Sequence, residues 1–183
     1  MDAGGDVIGA PQGRSVDSFE EGGKKAQKFM ELKKKADAGD KKALAEVTVT
    51  ELTDGRIKIS EADKKLKGVD LSADQKKQIE SIRPDAEVRE IMQDLNPQDE
   101  AGALQMGKKF AERMKAGKPN PNTPQMLQNY LGWIMKYAES EKDADLYEKA
   151  LTPFEAKFGN SPDPKAKAFF ANAHKTLEKL KQK

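Results

Sequence analysis

The stretch that decides the fold is Thr123–Asn160, TPQMLQNYLGWIMKYAESEKDADLYEKALTPFEAKFGN. Its apolar residues recur every three or four positions, which is the period of an amphipathic α-helix. A polar cap followed by proline predicts a helix from Thr123-Pro124 to about Glu139, and Asp143 predicts a second helix that ends at Phe158. Pro153 lies inside the second helix and is expected to kink it. The stretch therefore predicts a helical hairpin.

The same pattern of caps, apolar stripes and closing glycines extends through most of the chain. It predicts an all-α fold of about eight short helices in antiparallel pairs, as a helical-repeat-like array or an irregular bundle. Before the hairpin, helices are expected over 24–38 and 41–53, and a short helix is expected between the capping box at Ser60 and Gly68. Further helices are expected over 73–82, where Ser72 is the cap, and over 84–95, where Pro84 is the first residue. The last two expected helices run from Asn96-Pro97 to 116 and from Asp163-Pro164 onward.

One segment supports two interpretations. Residues 47–59 alternate apolar and polar side chains around Asp54-Gly55, which is typical of a β-hairpin. However, Ala45, Val49 and Leu52 also share one helical face, and Asp40 can cap that helix. An isolated two-stranded hairpin is only marginally stable in water. We therefore favour helix and turn over hairpin.

The composition excludes several classes of chemistry. The 183 residues include no Cys and a single His, His174, so disulfides, thiol nucleophiles, thiolate zinc sites and histidine-pair metal sites are excluded. His174 lies next to an apolar helix face and is expected to be a surface or half-buried residue. With this inventory we expect no enzyme activity and no cofactor. No stretch approaches the roughly 20 apolar residues of a membrane span.

The chain is expected to have three regions. Residues 1–23 form an acidic, Gly-rich tail that we expect to be flexible, 24–117 form a helical N-terminal half, and 118–183 form a helical C-terminal half. The boundary between the halves is placed at the Pro- and Asn-rich loop 118–122. The tail contains no secretory signal core. Because the absence of Cys suits an oxidising compartment, an extracytoplasmic location is favoured over a cytoplasmic one.

Two resemblances add to this interpretation. The pair Leu131-Gly132 in one helix and the run Tyr147–Leu151 in the next resemble a tetratricopeptide-type hairpin, although the spacing is one residue off and Gln128 replaces the usual aromatic residue. The segments Ala36–Ala43, Gly55–Ile57 and Leu71–Lys77 are similar to helical segments that accompany thioredoxin-like domains in some bacterial envelope proteins. Since Cys-x-x-Cys is missing, that resemblance implies a helical accessory module and not a redox enzyme.

Four aromatic residues are the candidate binding site. Tyr130, Trp133 and Tyr137 share one predicted helix, and Tyr147 lies in the next. Such residues either pack in the core or line a groove that grips a peptide or a partner helix. We therefore expect a non-enzymatic protein-interaction or structural module, such as a subunit of a larger assembly, that binds a protein partner or associates with itself.

Two other functions compete with this expectation. Residues 54–61, DGRIKISE, match the second half of an EF-hand loop, so Asp54 and Glu61 are the candidate calcium ligands. The leading positions are Thr50 and Leu52 in place of acids, which favours an ordinary turn followed by a helix. Lys-rich helices at both ends of the chain could contact nucleic acid, but a net charge of only +2 favours solvated faces.

Overall fold

The computed structural model describes residues 16–95 and 99–182, and within them the chain is all-α without a β-strand. These described residues form eight successive helices: α1 Val16–Asp37, α2 Lys41–Thr53, α3 Ile59–Lys65, α4 Ala73–Leu95, α5 Glu100–Lys115, α6 Pro124–Glu141, α7 Ala144–Phe158 and α8 Pro164–Lys181. The all-α prediction is confirmed. Most of the expected tail, and the expected start at Asn96-Pro97, lie outside the described residues, although α1 begins earlier than the expected position 24.

The chain divides into two compact units, Met1–Ser81 and Ile82–Lys183, and the division falls within α4. The loop 118–122, where we expected the boundary between halves, lies inside the second unit instead. Hydrogen bonds tie this loop to the second half of α4 and to α5, as described below. The composition of this loop correctly indicates that the helices are interrupted there. It does not indicate that the helices on both sides belong to the same unit.

In the first unit, the segment 47–59 is helix and turn, which excludes the hairpin alternative. The Asp40 side chain accepts hydrogen bonds from the Lys42 and Ala43 amides at 2.9 and 3.2 Å, so α2 begins as predicted. The helix ends at Thr53, and Gly55 turns the chain with a φ of 71°, a conformation that glycine adopts without steric cost. α2 packs on α1 around Phe29 and Val47.

Two predicted helix starts differ from the structure. α3 begins one residue before Ser60, with Lys58 as an N-cap that makes no side-chain cap bond. Ile59 and Ala62 are buried in its first turn, so packing moves the start. Pro84 lies inside the continuous helix α4 and does not begin a new helix. Proline removes one backbone hydrogen bond, but Pro84 and Val88 are both buried, and this packing offsets the loss.

Other predicted caps are confirmed. The amides and side chains of Ser72 and Gln75 bond reciprocally at 2.9 and 3.2 Å, which is the capping-box geometry. Asp143 caps α7 and Asp163 caps α8 through their side chains. Thr123 is the N-cap of α6, although its own side chain makes no cap bond. Pro153 lies inside α7, as expected from the sequence.

The second unit is a series of packed helices, in which α5 packs on α6, α6 on α7 and α7 on α8. Gly107 sets the distance between α5 and α6, because a Cβ added there would lie 2.6 Å from the Trp133 carbonyl oxygen and 2.6 Å from the Tyr137 Cβ. Only glycine permits this close approach. The largest fully buried side chains of the unit are Tyr130, Phe110, Met106, Leu131, Ile134, Leu146 and Val88.

Candidate protein-docking surface of the second unit

The structure separates the four predicted aromatic residues into two buried and two half-buried side chains. Tyr130 is fully buried, its hydroxyl donates to the Phe110 carbonyl at 3.3 Å, and the two ring centroids are 5.2 Å apart. Burial raises the pKa of Tyr130, and the neighbouring Arg113 guanidinium lowers that pKa in part. Tyr130 is therefore a core residue of the α5–α6 packing.

Tyr147 is also a core residue, only 4% exposed in α7. Burial raises its pKa, and a hydrogen bond with the Thr176 side chain of α8 acts in the opposite direction. The Tyr147 hydroxyl is thus used to join α7 to α8 and is not presented to a partner.

Trp133 and Tyr137 are half-buried and pack against the core of the second unit. The Lys136 ammonium lies 5.4 Å from the Trp133 ring centroid, so a cation from the same helix already covers one face of the indole. Of the predicted aromatic surface, only the exposed parts of these two residues remain available for contact.

A buried polar cluster holds the loop 118–123 in place. Its anchor in α4 is Asp85, 8% exposed, whose carboxylate accepts from the Asn122 amide at 2.9 Å and from the Thr123 amide at 3.3 Å. A carboxylate at this position is favourable because α6 begins there and its N-terminus is electropositive. Asp85 thus fixes the backbone of Asn122 and Thr123 directly before α6, although it does not bond the first amides within the helix.

The second anchor of this cluster is Arg113 of α5, whose side chain is 6% exposed. Its Nε donates to Glu87 at 3.1 Å and its Nη1 donates to the Pro119 carbonyl at 2.6 Å. The guanidinium also lies over the Tyr130 ring, 5.4 Å from the centroid, and its buried Nη2 has no hydrogen-bond partner among the residues described. Lys118 adds a longer ion pair to Glu87 at 3.3 Å.

Four phenylalanines form an aromatic cluster between α7 and α8. Phe154 is its centre, with ring centroids 5.4 Å from Phe158, 5.2 Å from Phe169 and 5.7 Å from Phe170. Phe154 and Phe170 are buried and Phe158 is half-buried, but Phe169 is 42% exposed. Edge-to-face and tilted contacts of this kind fix the orientation of each ring. The cluster therefore presents a rigidly held apolar ring to solvent.

Two contacts of α7 glutamates, one with a histidine and one with a lysine, lie along the same α7–α8 interface. Glu155 contacts His174 at 3.0 Å, and Glu148 contacts Lys181 at 2.8 Å. Both pairs are separated by seven residues on each helix, which is about two helical turns, as expected for antiparallel neighbours. The His174 side chain is half exposed, in agreement with the expected surface position.

The outer face of α8 is basic around Phe169. We define this face by the exposed residues Lys165, Phe169, Asn172, Lys175 and Lys179. Phe169 lies at its edge next to α7, because its ring contacts Phe154, and Lys175 lies about 120° farther around the helix. Within the described parts of the chain, none of these three lysines makes an ion pair. The helix has five lysines against one acid, Glu178.

The two candidate calcium ligands lie in different local environments. Asp54 is the C-cap of α2 and pairs with Arg56, whereas Glu61 lies in the first turn of α3 and pairs with Lys65 at 3.2 Å. Lys65 also contacts Glu51 at 3.0 Å. Residues 16–95 and 99–182 contain no group of three or more His, Asp or Glu side chains placed to hold a metal ion.

No family model, curated protein sequence or solved structure matches this chain. Among the described helices, none is both long and apolar enough to cross a membrane.

Sequence reasoning missed the features that stand out most in the structure. Phe169 and Phe170 are adjacent in sequence, and adjacent residues lie about 100° apart on a helix, so only one of them can face the core fully. That adjacency was the available indication of an exposed phenylalanine. The contacts of Arg113 with Glu87 and of Asp85 with Asn122 join residues far apart in sequence, and no local pattern predicts them.

Proposed function

We propose that this chain is a non-enzymatic helical protein-interaction module, acting as a subunit or adaptor in a larger assembly. A partner segment docks on the α7–α8 aromatic cluster at Phe169. The single observation that carries the proposal is that Phe169 is 42% exposed although its ring belongs to a cluster of four phenylalanines.

Exposed apolar residues are common when they are scattered singly. Phe169 differs because its ring packs on Phe154 and Phe170, and half-buried Phe158 extends the same apolar surface. Aromatic residues held in one orientation lose little conformational entropy when a partner binds, so they are effective anchors. This makes Phe169 a stronger candidate than the originally predicted Tyr130 and Tyr147, which are buried.

The successive packing of α5 to α8 agrees with this function. Arrays of short paired helices present side chains of neighbouring helices on one continuous surface, which suits the binding of extended or helical segments. The resemblance to tetratricopeptide hairpins points to the same class of activity. The exposed parts of Trp133 and Tyr137 on α6 are a second contact area in this proposal, provided that Lys136 moves off the indole.

The test is selection from a displayed random peptide library with the full chain as bait. We expect enriched peptides that bind wild type at micromolar concentration and lose binding to Phe169→Ala. Trp133→Phe and Tyr137→Ala serve as parallel variants that report on the α6 surface. A library without enriched binders, or binders that ignore all three substitutions, would refute a docking function of these surfaces.

A further inference from the structure

We infer that the outer face of α8 binds an acidic amphipathic helix of a partner protein. This inference rests on the proposed docking function and specifies the chemistry of the partner. Three features of the second unit support it: the uncompensated charge of α8, the contacts that two glutamates of α7 already make with α8, and the spacing of the exposed side chains.

The first feature is charge. Lys165, Lys175 and Lys179 flank Phe169 on the outer face, and none of them has an ion-pair partner in the described part of the chain. The acids of α7 that contact α8, Glu148 and Glu155, are already paired with Lys181 and His174. A partner with carboxylates opposite the free lysines would be attracted over a distance of about one Debye length.

The second feature is an internal example of the expected contact. α7 contacts α8 through Glu148 and Glu155, seven residues apart, and through Phe154, which lies between them in sequence and packs on Phe169 and Phe170. A helix that places glutamates on both sides of an apolar residue is therefore compatible with α8. The outer face repeats these elements, with lysines at both ends and one exposed phenylalanine between them.

The third feature is spacing. Lys165 and Lys179 are separated by four helical turns, which is about 21 Å. Lys165 lies one turn before Phe169, and Asn172 one turn after it, so these residues form one stripe along the helix. A partner helix of about 15 residues, with acidic side chains near both ends and leucine or phenylalanine in the middle, matches this stripe.

A protein helix fits this face better than the other anionic partners. α8 has no arginine, whereas phosphate recognition commonly uses the bidentate arginine fork. A membrane surface requires a broad apolar face on the helix, and here a single exposed phenylalanine is surrounded by lysines and Asn172. Nucleic acid and anionic lipid are therefore the alternatives that the experiment must distinguish.

The probes are two fluorescein-labelled peptides of about 21 residues, a helix length that covers the stripe. The first is an acidic helix with glutamates spaced seven residues apart around a central pair of leucines. The second replaces every glutamate with glutamine. Fluorescence anisotropy with the full chain is expected to show micromolar binding of the acidic peptide and at least about tenfold weaker binding of the glutamine peptide.

The variants test each element of the face. Phe169→Ala is expected to weaken binding about tenfold, and the double variant Lys165→Glu with Lys179→Glu is expected to abolish it. The matched control is Lys108→Glu with Lys109→Glu, because both lysines are exposed on α5 and unpaired among the described residues. The control should retain binding within about twofold after correction for net charge. Circular dichroism of each variant checks that it is folded.

Several outcomes would overturn the inference. It is overturned if the acidic peptide does not bind, or if the two peptides bind equally well. It is also overturned if the α5 control variant loses as much binding as the α8 variant. Phosphatidylglycerol vesicles and a DNA duplex are tested as competitors. If either displaces the acidic peptide and itself requires Lys165 and Lys179 for binding, that competitor and not a protein helix is the ligand of this face. If the library yields only neutral peptides that require Phe169, the docking function stands and the acidic partner is rejected.

Discussion

Substituting Arg113 is the most informative perturbation of the second unit. Arg113→Met keeps most of the apolar stem but removes the bonds to Glu87 and to the Pro119 carbonyl, at 3.1 and 2.6 Å. Hydrogen bonds to a charged group contribute about 1.5–3 kcal/mol each, and removing one member of a buried ion pair costs about 3–5 kcal/mol. Because Lys118 still contacts Glu87, we expect a loss of about 3 kcal/mol in unfolding free energy.

The assay is urea unfolding followed by tryptophan fluorescence. Trp133 is the only tryptophan and lies in the second unit, so its emission reports that unit alone. A loss of about 3 kcal/mol corresponds to a fall of about 1.5 M in the urea midpoint at an m-value of about 2 kcal/mol/M. Arg113→Lys keeps the charge but not the two-armed geometry, and we expect about half of the loss.

The control for this measurement is Lys109→Met on the same helix, because Lys109 is exposed. It should change stability by less than about 0.5 kcal/mol. A loss of less than about 1 kcal/mol for Arg113→Met, or an equal loss for the control, would show that the polar cluster does not hold the unit together. A double-mutant cycle with Glu87→Gln then measures how much of the loss belongs to the ion pair itself.

Three further predictions concern other parts of the chain. Gly107→Ala should destabilise the second unit by about 1–3 kcal/mol in the same urea assay, because the added Cβ would clash with the Trp133 carbonyl oxygen. The control Gly132→Ala should not destabilise the unit, because a Cβ added there has no atom within 4 Å. Asp40→Ala should cost the first unit about 1 kcal/mol by thermal circular dichroism, through loss of two cap bonds, whereas Asp40→Asn should retain most stability. Burial raises the pKa of Tyr130 above its ordinary value of 10.0, so the stability that this group contributes is complete below pH 10 and is lost as the pH rises through the folded pKa. The difference in unfolding free energy between wild type and Tyr130→Phe, measured by urea unfolding, should therefore become smaller between pH 9 and pH 11. A difference that stays constant over this range would contradict this assignment.

The local parts of the fold were predictable from the sequence. Asp40, Asp143 and Asp163 each place a carboxylate directly before a helix, and all three accept the backbone amides that such caps satisfy. A cap involves residues two or three positions apart, so the sequence itself contains both partners. For the same reason, the choice of helix over hairpin for 47–59 could be made from the apolar face and the Asp40 cap.

The remaining features depend on contacts that are distant in sequence. Pro84 is tolerated inside α4 because its surroundings are buried, and no window around a proline reveals that burial. The exposure of Phe169 depends on which neighbouring helices cover α8. Half of the predicted aromatic site proved to be core for the same reason: periodicity identifies Tyr130 and Tyr147 as apolar positions but does not say whether another helix lies over them.

The loop 118–122 has a further consequence for protein engineering. Its sequence, KPNPN, is the kind of linker that is usually chosen for a protease site, an inserted domain or new chain termini. Here the Pro119 carbonyl and the Asn122 amide are both held by buried side chains. Cutting the chain at this loop would release both attachments at once, so a circular permutant opened there should lose the start of α6. This loop therefore holds the start of α6 against α4 and α5, a structural role that its linker-like composition does not indicate.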